Sequence, residues 1–166
     1  MKIISMEKKM KIIYTFENDK VEGESLFLAG PTPRSADVQS WRPKTIELLE
    51  NKFKFDGTVY CPEYREGHCD IEGKGKFNDQ IDWEHNALDT CDAILMWVPR
   101  KLETMPALTT NIEFGFYVKS GRLFYGRPPE SVKNHYLDYC YMKFTGRKFE
   151  STLEGLIDRV LKSFHK

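Results

Sequence analysis

Short apolar runs alternate along the chain with longer stretches whose apolar residues recur at helical spacing. The runs "KIIYTF" (11–16), "SLFLAG" (25–30), "GTVYCP" (57–62), "DAILMWVP" (92–99) and "GRLFYG" (121–126) predict strands. "SLFLAG" and "DAILMWVP" carry few polar interruptions, as expected of strands buried on both faces of a parallel sheet. Helices are predicted over Trp41–Phe53, Phe77–Cys91, about Thr110–Lys119, and Ser151–Phe164. The last has an apolar stripe at Leu153, Leu156, Ile157, Val160, Leu161 and Phe164. Strands alternating with helices of this size predict an α/β sandwich around a mostly parallel sheet. One domain over residues 1–166 is expected, with residues 1–24 adding an edge strand or hairpin.

Ligands of such sheets sit beyond the carboxyl ends of the strands. The loops "AGPTPRS", "WVPRKLETMPAL" and "GRPPES" follow strand ends and are the places to seek function. "REGHCDIEGKGKFND" (65–79) predicts a mobile surface loop. "NHYLDYCYMKF" (134–144) carries more apolar surface than a loop of its length needs, which makes Tyr136, Tyr139, Tyr141 and Phe144 either core cover or a subunit contact.

Composition narrows the chemistry. Lys plus Arg number 25 and Asp plus Glu 25, so the net charge is zero and the basic surface needed to bind long nucleic acid is lacking. Cys61, Cys69, Cys91 and Cys140 form no CxxC pair, and His68-Cys69 lacks a second ligand pair, so no metal site is expected. Lys interrupts every apolar run of the first 16 residues, which fits neither a signal peptide nor a membrane span. With free cysteines, the expected location is the cytoplasm.

Two carboxylates break the pattern. Glu113 lies in "TTNIEFGFYV", an otherwise apolar run, and burying an ionised Glu is costly unless it is paired. Thr110-x-x-Glu113 matches a capping box, a purely structural use. Equally, a first-turn Glu kept ionised by the positive helix end, with Gly115 permitting close approach, suits a nucleophile. Glu84 shares a helical stripe with Ile81, Leu88 and Cys91, and so lies on the inward face. It either reaches solvent from the stripe edge or, with a pKa raised by burial, donates a proton. A nucleophilic carboxylate with an acid partner is the arrangement of retaining glycosidases.

The ordered set "LFLAGPTPRS", "WEHNALDTCDAILMWVPR", "MPALTTNIEFGFYVKSGRLFYGRPP" and "NHYLDY", over roughly residues 25 to 139, resembles the nucleoside 2-deoxyribosyltransferase-like superfamily. The branch is the one with a WVPR strand end and a TTNxExG helix start. The resemblance implies a Rossmann-like or flavodoxin-like three-layer α/β sandwich and chemistry at an N-glycosidic bond. It makes Glu113 the nucleophile and Glu84 the carboxylate facing the nucleobase, at a place where many members have Asp. It seats the sugar over Gly30 and Pro31. Members carry a further carboxylate shortly before the nucleophile, where this chain has Ala107 and Asn111, so Asn111 is the expected substitute for holding the sugar hydroxyls.

On that basis a (deoxy)nucleoside or nucleotide is the expected substrate, with no metal and no cofactor. Thr110 lies beside the nucleophile, and Trp83, Trp97 and Tyr60 are candidates for stacking on the base. Glu113 is expected to form a glycosyl-enzyme ester that a second base resolves by transfer or water by hydrolysis. Arg34, Ser35 and Arg100 sit in strand-end loops where they could hold a phosphate, which would favour a nucleoside 5′-monophosphate N-glycosidase. A non-catalytic nucleotide sensor built on the same crevice is the reading of a different class. Related enzymes are oligomers with sites completed by a neighbour, so a symmetric homo-oligomer, a dimer or larger, is expected.

Overall fold

The computed structural model of the protein describes residues 9–66 and 76–165. Five strands, β1 (Lys11–Tyr14), β2 (Ser25–Ala29), β3 (Thr58–Cys61), β4 (Ala93–Trp97) and β5 (Leu123–Gly126), form one sheet in the order β1-β3-β2-β4-β5. Every pairing is parallel. Strands β2 and β4, whose sequences have few polar interruptions, lie at and beside the centre of the sheet and are buried at every position. Residues Lys11–Tyr14 supply an edge strand, paired in parallel with β3.

Among the described residues five α-helices cover the sheet: α1 (Arg42–Glu47), α2 (Lys76–Thr90), α3 (Leu108–Tyr117), α4 (His135–Thr145) and α5 (Leu153–Ser163). A π-helical turn over Leu48–Lys52 continues α1. Alternate residues of the central strands feed two separate cores. Phe27, Ala29, Ile94 and Met96 pack with Ala87 and Leu88 of α2, Phe114 and Tyr117 of α3, and Leu137 and Tyr141 of α4. Leu26, Leu28, Ala93, Leu95 and Trp97 pack with Trp41, Leu49, and Leu156, Ile157 and Val160 of α5. The period-2 alternation of side chains thus makes a three-layer α/β sandwich of the Rossmann or flavodoxin kind.

Three details differ from the sequence reading. The segment "NHYLDYCYMKF" is not a loop: it is almost entirely α4, which buries Leu137 and Tyr141 and leaves Tyr136 and Tyr139 exposed. Helix α3 begins at Leu108, two residues before the predicted start, because Ala107 turns the chain with a left-handed φ of 60°. Gly115 faces open space, with no atom within 4 Å of the place its Cβ would take, so it mediates no close approach. The mobile-loop expectation and His68-Cys69 fall largely or wholly on residues 67–75, outside the described residues.

Candidate active site

The connection from β2 leads through α1 to β3 on one side, and the chain then crosses to β4 on the other, so the sheet reverses direction between β2 and β4. Crevices at such reversals, beyond the carboxyl ends of the strands, are where α/β folds bind ligands. A cavity of about 630 Å³ opens there, lined by Ala29–Ala36 after β2, Pro62 after β3, and Pro106–Thr110 after β4. Its size suits a small organic ligand.

Glu84 of α2 and Glu113 of α3 both line this cavity. Glu113 is 6% exposed, and its carboxylate makes no hydrogen bond or ion pair to any described residue. Burial and the negative charge of Glu84 push its pKa up to about 8, with the Arg42 guanidinium opposing the rise. Burial also raises Glu84, against a hydrogen bond from Gln80 Nε2 at 3.0 Å and the charges of Arg42 and His85.

Two expectations for Glu113 are corrected here. The capping box does not form: Thr110 and Glu113 lie inside α3, not across its start, and the N-cap position is Ala107. Nor does the helix end keep Glu113 charged. It sits in the second turn, beyond the reach of the terminal amides, so burial dominates and holds its proton.

Arg42 is a site residue that the sequence reading missed. It is 1% exposed, yet lines the cavity. Nε donates to Leu28 O at 3.0 Å, Nη2 to Gly30 O at 2.7 Å, and Nη1 to Thr32 Oγ1 at 3.0 Å and Glu63 Oε1 at 2.9 Å. The available signal was a cation in the first turn of a helix, where the helix dipole disfavours it. Phe77, Gln80 and Ile81 were also missed, although their spacing to Glu84 places all four on one helical face.

Gly30 and Pro31 form the cavity floor. Gly30 has φ +147°, and a Cβ there would lie 2.1 Å from the Trp97 carbonyl and 2.7 Å from the Trp41 ring. Trp41 Nε1 donates to Pro31 O at 3.0 Å, fixing the next residue. Arg34 and Ser35 are exposed on the cavity rim, and Thr110 lines the wall beside Glu113.

The remaining predicted site residues lie elsewhere. Trp97 is 6% exposed within the opposite core, and only its backbone carbonyl approaches Gly30. Trp83 donates its indole N–H to Glu17 O at 3.1 Å and packs edge-on against Tyr60, with ring centroids 6.2 Å apart. Arg100 donates through Nη1 to Lys133 O at 3.0 Å and through Nη2 to Asn111 Oδ1, away from the cavity lining. None of these residues is among those lining the cavity.

Among the described residues no cluster of three His, Cys, Asp or Glu side chains could hold a metal ion. No helix of the described residues is long and apolar enough to cross a membrane. A family model described as nucleoside 2-deoxyribosyltransferase like matches residues 23–130, a span running from just before β2 to just beyond β5 that contains every cavity-lining residue. No curated protein matches the chain.

Proposed function

Because the chain belongs to the nucleoside 2-deoxyribosyltransferase-like family, we propose that it cleaves the N-glycosidic bond of a (deoxy)nucleoside or nucleotide and transfers the deoxyribosyl group to another nucleobase. The observation that carries this reading is the meeting of two carboxyl groups from different helices, the buried Glu113 and the half-buried Glu84, in one cavity.

Their chemistry follows from their charges. The negative charge of Glu84 opposes ionisation of Glu113, so the two carboxyl groups lose their protons as a coupled pair. With its pKa pushed up to about 8 by burial and by that charge, Glu113 holds a proton at neutral pH. A sugar seated over the Gly30-Pro31 floor brings developing positive charge to Glu113 as C1′ takes on oxocarbenium character. That charge favours the Glu113 anion, and the proton passes to the side of Glu84, which gives it to the departing base. Glu113 then bonds to C1′, and the bond from C1′ to the base nitrogen breaks. The ester is resolved when an incoming base attacks C1′ and yields its proton to Glu84. Phe77 and Ile81, on the Glu84 face of α2, give the base an apolar wall.

A second reading, hydrolysis of a nucleoside 5′-monophosphate, draws on Arg34 and Ser35 at the rim, where a guanidinium and a hydroxyl can hold a phosphate. Chromatography separates the possibilities. Deoxynucleosides, ribonucleosides and their monophosphates are incubated with and without a free acceptor base. A new nucleoside supports transfer, and free sugar or sugar phosphate plus base supports hydrolysis. Binding with no turnover would leave a non-catalytic sensor and overturn the proposal.

A further inference from the structure

We propose that Arg42 is the positioning residue of this site: its guanidinium ties the cavity floor to α1 and balances the charge of the Glu84–Glu113 pair. The inference deepens the reading of those carboxylates as the reacting pair and rests on it for its catalytic consequence.

The geometry is specific. A guanidinium has five N–H donors in a fixed fork. Four of those of Arg42 are engaged, and all four acceptors belong to the segments around the cavity: Leu28 O, Gly30 O and Thr32 Oγ1 along the β2 end, and Glu63 after β3. The second Nη2 hydrogen has no acceptor among the described residues, and Arg42 is one of the cavity-lining residues. Two of its acceptors are the carbonyls either side of Ala29, so Arg42 holds the last turn of chain before Pro31 in place. Trp41, the preceding residue, holds Pro31 through its indole N–H. Arginine suits this task because lysine offers no planar fork.

The electrostatics point the same way. The charged groups acting on the pair are Arg42 from α1 and His85 on α2, and Arg34 lines the same cavity at its exposed rim. Glu63 is already paired with Arg42 and with the Ser40 hydroxyl, and its side chain is 13% exposed. One buried cation therefore serves three carboxyl groups. It opposes the upward shift of both Glu84 and Glu113. Without it, the pair would keep its proton to higher pH and the Glu113 anion would be scarcer.

The test reads the carboxyl groups themselves. The ¹³C side-chain carboxyl signals of Glu113 and Glu84 are titrated by NMR in wild type, Arg42→Lys and Arg42→Met, with Glu113→Gln and Glu84→Gln giving the assignments. Arg42→Met is expected to move the Glu113 midpoint up by about one pH unit or more. Arg42→Lys should return it to near the wild-type value while raising KM, because the loop loses its fork. If Arg42→Met does not fold, Arg42→Gln carries the same expectation. An unchanged Glu113 midpoint in a folded, charge-neutral variant would overturn the proposal. Since the titration needs no substrate, it can succeed even if no glycosyl transfer is found, and an active enzyme with an unmoved midpoint would refute Arg42 alone.

Discussion

Glu84 on α2 and Glu113 on α3 lie far apart in sequence but face the same cavity, and the charge of the first raises the pKa of the second. Neither forms an ion pair with a described residue, and Arg42 opposes the rise of both.

The rate should follow the singly protonated pair. kcat/KM is expected to fall on the alkaline side as Glu113 loses its proton near pH 8, and on the acid side above the ordinary carboxylate value as the second proton adds. A pH–rate profile from pH 4 to pH 10 measures both limbs. A rate that climbs through pH 9 would show that the doubly ionised pair is the active form.

The same burial predicts a stability effect with a definite sign. The folded pKa of Glu113 lies above its ordinary value of 4.5, so the folded state holds this proton longer than the unfolded chain. The site's contribution to stability therefore declines as pH rises from about 4.5 to about 8, and the cost is fully present above that. Glu113→Gln removes the charge and should raise stability at pH 9 by on the order of a few kcal/mol, with little gain at pH 4. Thermal denaturation of both proteins at the two pH values checks this. A structural role for the carboxylate would instead make the variant less stable at pH 9.

The fold was legible in the sequence because burial on both faces leaves a plain mark: the runs "SLFLAG" and "AILMWV" have few polar interruptions and became the central strands. The two carboxylates were legible for the opposite reason, as charges set among apolar neighbours. What stayed hidden depended on where chains meet. Trp83 and Trp97 look like stacking platforms by residue type, yet tertiary packing commits one to Glu17 and Tyr60 and the other to the opposite core. Arg100 donates to Asn111, a pairing between a loop and a helix that no local pattern encodes. Arg42 has a role set by tertiary contacts: its four acceptors come from the site's own loops.

Glu84→Gln should slow substrates with poor leaving bases far more than those with activated ones, since a good leaving group needs little protonation. Paired rate measurements on a natural and an activated nucleoside decide it. An equal loss for both would assign Glu84 to packing.

Assembly is also testable. Leu108, Ile112 and Phe116, spaced four apart on α3, are 64%, 57% and 63% exposed. Four-residue spacing puts them on one helical face, and exposed apolar faces mark contact sites. A dimer or larger homo-oligomer is expected by light scattering at micromolar concentration, and Ile112→Glu should shift it toward monomer with the circular dichroism unchanged. A wild-type monomer with full activity would refute both the contact and a shared site.

The central claim is that Glu113 attacks the anomeric carbon, and the turnover of Glu113→Gln tests it most directly. With the variant's fold checked by circular dichroism, the rate on a nucleoside that wild type consumes is predicted to fall by at least about a thousandfold. Retention of even a tenth of the wild-type rate would contradict the account.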